Sequence, residues 1–306
     1  MVVVNYDSAS IAIGNWLERS IPAECANHVR ELGATIATTI GDVRTRNEDL
    51  AIIVRLSSCC GPAQSFILCV LCDGVSALPN GRKAAITATT SLLMHMIAEE
   101  ARLPYENLRM GIEAANHAVR QQCLPAGGTT LVALLLSPSG ALAAGVGDSR
   151  IYAYSKQKLL RQVTVDDTLE RELERFKDQR GPALNLTRFS HRLTRFVGME
   201  ASVQCRLTSL DTRSPGTVFI LSSDGASEVS SLEAVLRGTA STDIPSGLMQ
   251  LSAWCSGGDN ATVMSIRGEA IARLHSSDSV KLSHLEIWDS AGKLNLSLEH
   301  VLRRVG

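Results

Sequence analysis

The sequence predicts an α+β fold on three observations. Short β-branched runs, "TIATTIGDV" and "LAIIVRL", overlap and follow a charged turn. The stretch "SFILCVLCDG" is an almost unbroken apolar strand. After it, two segments over about 81–101 and 105–123 carry apolar residues at helical spacing. Strand runs on both sides of the turn and a helical pair behind them are the pattern of sheets with helices segregated to a face.

The elements follow in order. Residues 1–33 read as an N-terminal helical lead-in, "SIAIGNWLERSIPAECANHVREL", interrupted at Pro22 because proline breaks the helical ladder. The strand ending at Asp73 reads as buried on both faces, since its apolar run does not alternate. In the second helix Leu108, Ile112, Ala115 and Val119 make one stripe, which is core rather than a cofactor box. "TTLVALLLS", "GALAAGVG" and "SRIYAYS" follow with turns at Pro138-Ser139-Gly140 and Gly147-Asp148, and read as an antiparallel meander. Residues 165–198 have helical tendency; "VQCRLTSL" and "TVFILSSDG" return to strand. Helical pieces around 231–255 and the strand "NATVMSIRG" close the core. Residues 34–267 thus read as one main domain. Residues 268–306 read as an accessory segment with a hairpin, in which Leu285 and Ile287 alternate before the turn Asp289-Ser290-Ala291-Gly292 and Leu294, Leu296 and Leu298 after it.

Composition narrows the function. With 306 residues, 45% of them hydrophobic, the chain can bury a sizeable core. Thirty basic against thirty-one acidic residues leave a net charge of -1 without a basic block, so neither nucleic acid nor a membrane surface is an expected partner. "FILCVLC" and "LVALLL" fall short of the roughly 20 apolar residues that span a bilayer, and "MVVVNYDSAS" lacks a basic leader region. The expected location is cytoplasmic. The eight cysteines are scattered, as in reduced proteins. Cys69 and Cys72 form a CxxC inside a strand, where that spacing sends the two thiols to opposite faces. No cysteine stands six positions before an arginine, which excludes the loop of cysteine-nucleophile phosphatases.

Four acids share one type of position. Asp73, Asp148 and Asp224 each follow a strand run, and Asp259 precedes one. Turn chemistry alone accounts for any single one of them. Together, acids at the ends of strands about 4.8 Å apart can converge on one edge of a sheet. Crowded carboxylates repel unless cations lie between them, and an oxygen-only set suits Mg²⁺ or Mn²⁺ rather than zinc. The turn "VRTRNED" adds Arg44, Arg46, Glu48 and Asp49 just ahead of a strand.

With these residues the sequence resembles the metal-dependent PP2C-type (PPM) serine/threonine protein phosphatases, in a compact form like the bacterial members. "VRTRNED", "CDGV", "GGTT", "GVGDSR", "LTRFVG", "SSDG" and "GGDN" occur in that family's order over roughly residues 34–267. The resemblance implies an α-β-β-α sandwich, two antiparallel sheets flanked by helices, with a metal centre at one end. It implies that Asp73 bridges two Mn²⁺ or Mg²⁺ ions and Gly74 offers its carbonyl. Glu48 would bind one ion and Asp224 and Asp259 the other. Asp49 would support the site, Asp148 would help hold a third, looser ion, and Arg44 would hold the substrate phosphate. The expected reaction is hydrolysis of phosphoserine and phosphothreonine on proteins by an activated water, with phosphorylated proteins as substrates and a cognate Ser/Thr kinase as a further partner in signalling. Gly128, Thr129, Thr130 and the "LTRFVG" segment read as structural.

Val75 departs from the family pattern, standing where some members place a histidine proposed as general acid. His95 and His117, in the two helices, are no evident substitute. A different class of function stays open: a non-catalytic PP2C-like module that binds phosphorylated partners or a kinase. Retention of Glu48, Asp73, Asp224 and Asp259 favours the enzyme.

Overall fold

The computed structural model describes residues 2–99, 104–154, 160–174, 192–210, 216–226, 247, 258–274 and 282–299. In chain order the first elements are β1 (Val2–Val4), α1 (Tyr6–Glu18), β2 (Glu24–Val29), β3 (Ala34–Thr39), β4 (Leu50–Ser57) and β5 (Phe66–Cys72). Next come α2 (Gly81–Ala98), α3 (Pro104–Gln122), β6 (Leu131–Ser137), β7 (Gly140–Val146), β8 (Arg150–Tyr154) and β9 (Leu160–Gln162). The rest are α4 (Leu169–Glu174), β10 (Arg206–Leu210), β11 (Val218–Ser222), β12 (Ala261–Arg267), β13 (Leu282–Asp289) and β14 (Gly292–Glu299).

The strands form an eight-stranded sheet in the order β1-β14-β13-β4-β5-β6-β7-β10 and a six-stranded sheet in the order β2-β3-β12-β11-β8-β9. β5 shows why the sheets stack. All seven of its residues are buried, and the two-residue period sends alternate side chains to opposite faces. Leu68, Val70 and Cys72 join a core shared with α1, α2 and α3. Ile67, Cys69 and Leu71 join the core between the sheets, against Ile36, Phe219, Leu221 and Met264. The two thiols of the CxxC therefore lie in different layers, as their spacing predicts. Burying each such aliphatic side chain contributes about 1.5–3 kcal/mol, and here every one serves a layer.

The helical layer follows the sequence closely. Leu108, Ile112, Ala115 and Val119 of α3 are each 0% exposed and face the core with twelve buried residues of α2. Asn107 donates its amide to the carbonyls of Met96 and Glu99 at 3.3 and 3.1 Å, satisfying backbone acceptors at the end of α2.

Four expectations need correction. Residues 24–29, read as part of a helical lead-in, are strand β2, paired in register with β3 from Glu24↔Thr39 to Val29↔Ala34. Pairing along a buried neighbour outweighs the weak local helix preference of "ECANHV". The meander breaks after β7: β8 leaves the first sheet and pairs with β11 in the second. Gly147 makes that crossing, at φ +99° and with its Cα so close to Thr130 that a Cβ would lie 2.8 Å from the threonine side chain. Residues 193–197 are extended rather than helical, bridging Thr168 through Leu193 and Thr129 through Val197. Finally, the eight-stranded sheet is not purely antiparallel, because β1 runs parallel to β14. The helical pieces read around 231–255 lie outside the described residues, as does the continuation of residues 165–198 over 175–191.

The hairpin of residues 282–299 is part of the main sheet. β13 pairs with β4 from His284↔Ser57 to Trp288↔Ile53, and Leu285, Ile287, Leu296 and Leu298 enter the core beside α1.

Candidate metal centre and active site

The register sends the acids to one end of the sandwich. Leu50 opposes Cys72 between β4 and β5, so Asp49 and Asp73 lie side by side just beyond the pair. Ser222 opposes Arg150 on β8 and Val263 on β12, which brings Asp148, Asp224 and Asp259 to the same end of the second sheet.

Asp73 is pinned through its backbone. Its N–H donates to Thr130 Oγ1 at 3.0 Å, and its carbonyl accepts from the Thr130 N–H at 2.8 Å and the Thr129 hydroxyl at 2.9 Å. The "GGTT" segment is thus the clamp that fixes Asp73. Thr130 Oγ1 also meets Ser149 Oγ at 2.7 Å, which links the clamp to the neighbour of Asp148. Gly74 packs so tightly on α2 that a Cβ there would lie 2.5 Å from the Gly81 carbonyl carbon. A Cβ on Gly81 would in turn lie 3.0 Å from Glu48 Oε2, so the Glu48 carboxylate rests on the start of α2.

The charged turn is held by a residue whose role the sequence did not signal, Asn260. Its carboxamide accepts the Glu48 N–H at 2.8 Å and donates to the carbonyls of Ile40 and Arg46 at 2.9 and 3.0 Å. Asn47 accepts the Asp49 N–H at 3.0 Å and donates to Thr38 Oγ1 at 2.8 Å. These bonds present Glu48 and Asp49 toward Asp73.

Burial and mutual repulsion dominate the electrostatics. Burial pushes the Asp49 carboxyl up to about 6 against the opposing pull of the Thr262 and Ser223 hydroxyls, with Asp224 adding to the rise. The Ser223 hydroxyl donates to Oδ2 at 2.8 Å, while Oδ1 makes no hydrogen bond. Asp73 lies well above the carboxylate range through burial and the charges of Asp49, Asp224 and Asp148. Asp148 is pushed up to about 7 by burial, then by Asp224 and Asp166. Such a cluster resists ionisation until a cation neutralises it. Its donors are all oxygen and one buried oxygen lacks a partner, so it fits Mg²⁺ or Mn²⁺.

The side chains do not stand in a closed cage. Among the described residues, no three His, Cys, Asp or Glu side chains form a ready metal site. Asp259 instead faces Arg44, which grips it with Nε at 2.8 Å and Nη2 at 2.9 Å. Of the acids named from the sequence, Asp49, Asp73, Asp148 and Asp224 are brought within electrostatic reach of one another, Glu48 lies in the turn before β4 against the first residue of α2, and Asp259 is turned to the arginine. Sequence reasoning also missed Asp166 and Asp167, which hold Arg150 at 2.6 Å and Arg195 at 2.8 Å beside Asp148. Their only signal is the doubled acid of "VDDT".

Acids that call for hard cations, with an arginine fork at their edge, are the chemistry of metal-dependent phosphatases. The chain belongs to the protein phosphatase 2C family, whose sequence profile matches residues 55–246. Among solved structures, the PPM Ser-Thr phosphatase MsPP from Mycobacterium smegmatis, in complex with cacodylate, is 25% identical. That match covers 76% of this chain and 97% of that one with a TM-score of 0.61. A bacterial serine phosphatase is 23% identical with a TM-score of 0.66, covering 81% of this chain and 100% of that one. The catalytic domain of the phosphatase PstP in complex with two manganese ions is 23% identical with a TM-score of 0.59, over 79% of this chain and 97% of that one. No curated protein sequence matches. The shared fold is the PP2C-like sandwich of two sheets flanked by helices. No described helix is long and apolar enough to cross a membrane.

Proposed function

We propose that the protein hydrolyses phosphoserine and phosphothreonine on protein substrates at a binuclear Mn²⁺ or Mg²⁺ centre. The observation that carries the reading is the crowding of Asp49, Asp73, Asp148 and Asp224 at one end of the sandwich, where burial and mutual repulsion raise the carboxyls of Asp49, Asp73 and Asp148. Membership of the protein phosphatase 2C family supports it.

In this reading Asp73, Glu48, Asp224 and Asp259, with the carbonyl of Gly74, would hold the ions. Asp148 contributes to a third, weaker site. When bound, such ions supply the Lewis acidity that makes a water nucleophilic near neutral pH. The chain's own part is positioning. Asn260 and the Thr129-Thr130 clamp fix the backbone of Glu48 and Asp73, so little reorganisation is left for the reaction itself. Arg44, on leaving Asp259, offers two parallel N–H donors to phosphoryl oxygens, a match of fork to oxyanion that lysine lacks. Asp49 stays behind the site, held by Ser223.

The partners in this reading are phosphorylated proteins, with a cognate Ser/Thr kinase supplying them, in the cytoplasm. One observation favours the second reading, a non-catalytic phosphoprotein-binding module: Arg44 is engaged by Asp259 rather than open. Hydrolysis of a phosphothreonine peptide, followed with added Mn²⁺ and with excess chelator, separates the two. Turnover that requires Mn²⁺ is expected; binding of the peptide without turnover under both conditions would select the module.

A further inference from the structure

Arg82 lies one residue into α2, beside the contact of Gly81 with Glu48 and Gly74. Its guanidinium is drawn under the site. Nη1 donates to the carbonyl of Asp49 at 2.5 Å, and Nη2 donates to the carbonyl of Leu17, in the last turn of α1, at 3.2 Å. Both acceptor residues are buried, Asp49 at 2% and Leu17 at 1% exposure. A cation is costly in such a place unless its donors are used. Burial works against the charge of Arg82, and the first group that offsets it is Asp49. Other arginines near the acids are engaged by carboxylates instead, Arg44 by Asp259, Arg150 by Asp166 and Arg195 by Asp167.

From this geometry we infer that Arg82 is a positioning residue for the cation site. It ties the Glu48–Asp49 segment to α1, so that the carboxylate of Glu48 is presented to the ions, with Asp49 in support behind it, by a backbone fixed from below. The inference rests on the metal reading given above. Asn260 holds the same segment from the opposite side at Glu48 N–H, so the segment is gripped at successive residues by two side chains from different layers. Arg82 touches neither ion nor substrate in this arrangement; it acts through the Asp49 carbonyl. Partners one shell removed from metal ligands typically carry a 10–100-fold effect on affinity, and the same order is expected here.

The test is Mn²⁺ affinity by calorimetry on the full-length, chelator-treated chain, a readout independent of turnover. Arg82→Met keeps the length of the side chain and removes both donors; it is expected to weaken Mn²⁺ binding by about tenfold or more. Arg82→Lys keeps the charge but lacks the fork that reaches both carbonyls at once, and is expected to fall between. Arg19→Ala is the control for general loosening. Arg19 joins α1 to the hairpin through Asp289 at 2.8 Å and the Trp16 carbonyl, and reaches no residue of the 48–49 segment; it repels Arg82 while Asp289 attracts it, so its loss leaves the grip of Arg82 in place and should keep Mn²⁺ affinity within about twofold. Where Arg82→Met does not fold, weaker binding in Arg82→Lys but not in Arg19→Ala carries the test. Wild-type affinity in Arg82→Met, or in Arg82→Lys when that variant decides, overturns this inference alone. Equal weakening in Arg19→Ala overturns it as well. A wild-type chain that binds no Mn²⁺ overturns the metal reading together with it.

Discussion

Arg44 and Asp259 form a two-pronged ion pair, Nε to Oδ1 at 2.8 Å and Nη2 to Oδ2 at 2.9 Å, across 215 residues of sequence. Each is a partner the proposed reaction needs elsewhere: the arginine on phosphate, the aspartate on a cation. The pair is partly exposed, and ion pairs of that kind contribute little net stability. It can therefore exchange for stronger partners.

Arg44→Ala is expected to leave Mn²⁺ binding intact or slightly tighter, because Asp259 loses its competitor. Phosphopeptide KM should rise by roughly 10- to 150-fold, the equivalent of a charged hydrogen bond of about 1.5–3 kcal/mol, with kcat lowered where the contact tightens in the transition state. Steady-state kinetics beside calorimetry checks this; loss of Mn²⁺ binding would make Arg44 a structural residue.

Asp73→Asn keeps the shape of the side chain proposed to hold both ions and removes its charge. A fall in kcat by a factor of about 10² or more is expected, as for removal of a central electrostatic group. The metal-free variant should melt no lower than the metal-free wild type, since one of the mutually repelling acids is gone. Normal turnover in a folded variant would remove Asp73 from the bridging position.

Ile287→Ala probes the hairpin. Ile287 is 0% exposed and faces α1 and the helical layer from β13. Deleting a buried isoleucine costs about 2–5 kcal/mol, so a large drop in the urea midpoint is expected, with Mn²⁺ affinity unchanged at temperatures where the variant stays folded. A shift below about 0.5 kcal/mol, as at ordinary surface positions, would mean that the hairpin is not part of the cooperative fold.

Glu286 sets an acid limit. Burial alone would raise its carboxyl, but hydrogen bonds from Lys293 and Arg55 outweigh that and hold it below its ordinary 4.5. A carboxyl depressed in the folded state adds stability that is present above the unfolded value and lost as pH falls through the folded one. Glu286→Gln should therefore lower stability at neutral pH and flatten the decline below about pH 4.5 in denaturant midpoints measured from pH 7 to 3. A parallel decline in both proteins would show that Glu286 contributes nothing to it.

Local patterns made much of this legible. The apolar run of β5, the stripe of α3 and the strand-end acids are written in periods of two and 3.6 and in turn residues, which one short stretch can carry. What was missed depends on partners far along the chain. Nothing in "ECANHV" announces that it borders β3, and nothing in "RIYAY" says which of two sheets will take it. Asn260 and Arg82 escaped notice for the same reason: their side chains satisfy backbone groups more than 30 residues away, and an asparagine or arginine in isolation carries no mark of a backbone partner. The helical reading of "LTRFVG" failed because Val197 is recruited by Thr129.

Asn260 also dictates when the protein can work. The carboxamide that grips Ile40, Arg46 and Glu48 lies 212 residues after Glu48. During synthesis, at about 5–20 residues per second, the charged turn leaves the ribosome well before the residue that sets its shape. For that interval the nascent chain holds Glu48, Asp49 and Asp73 with no fixed arrangement among them. On the proposed function, a chain truncated before β12 lacks the side chain that shapes the charged turn, so premature termination is expected to yield inert fragments rather than unregulated ones.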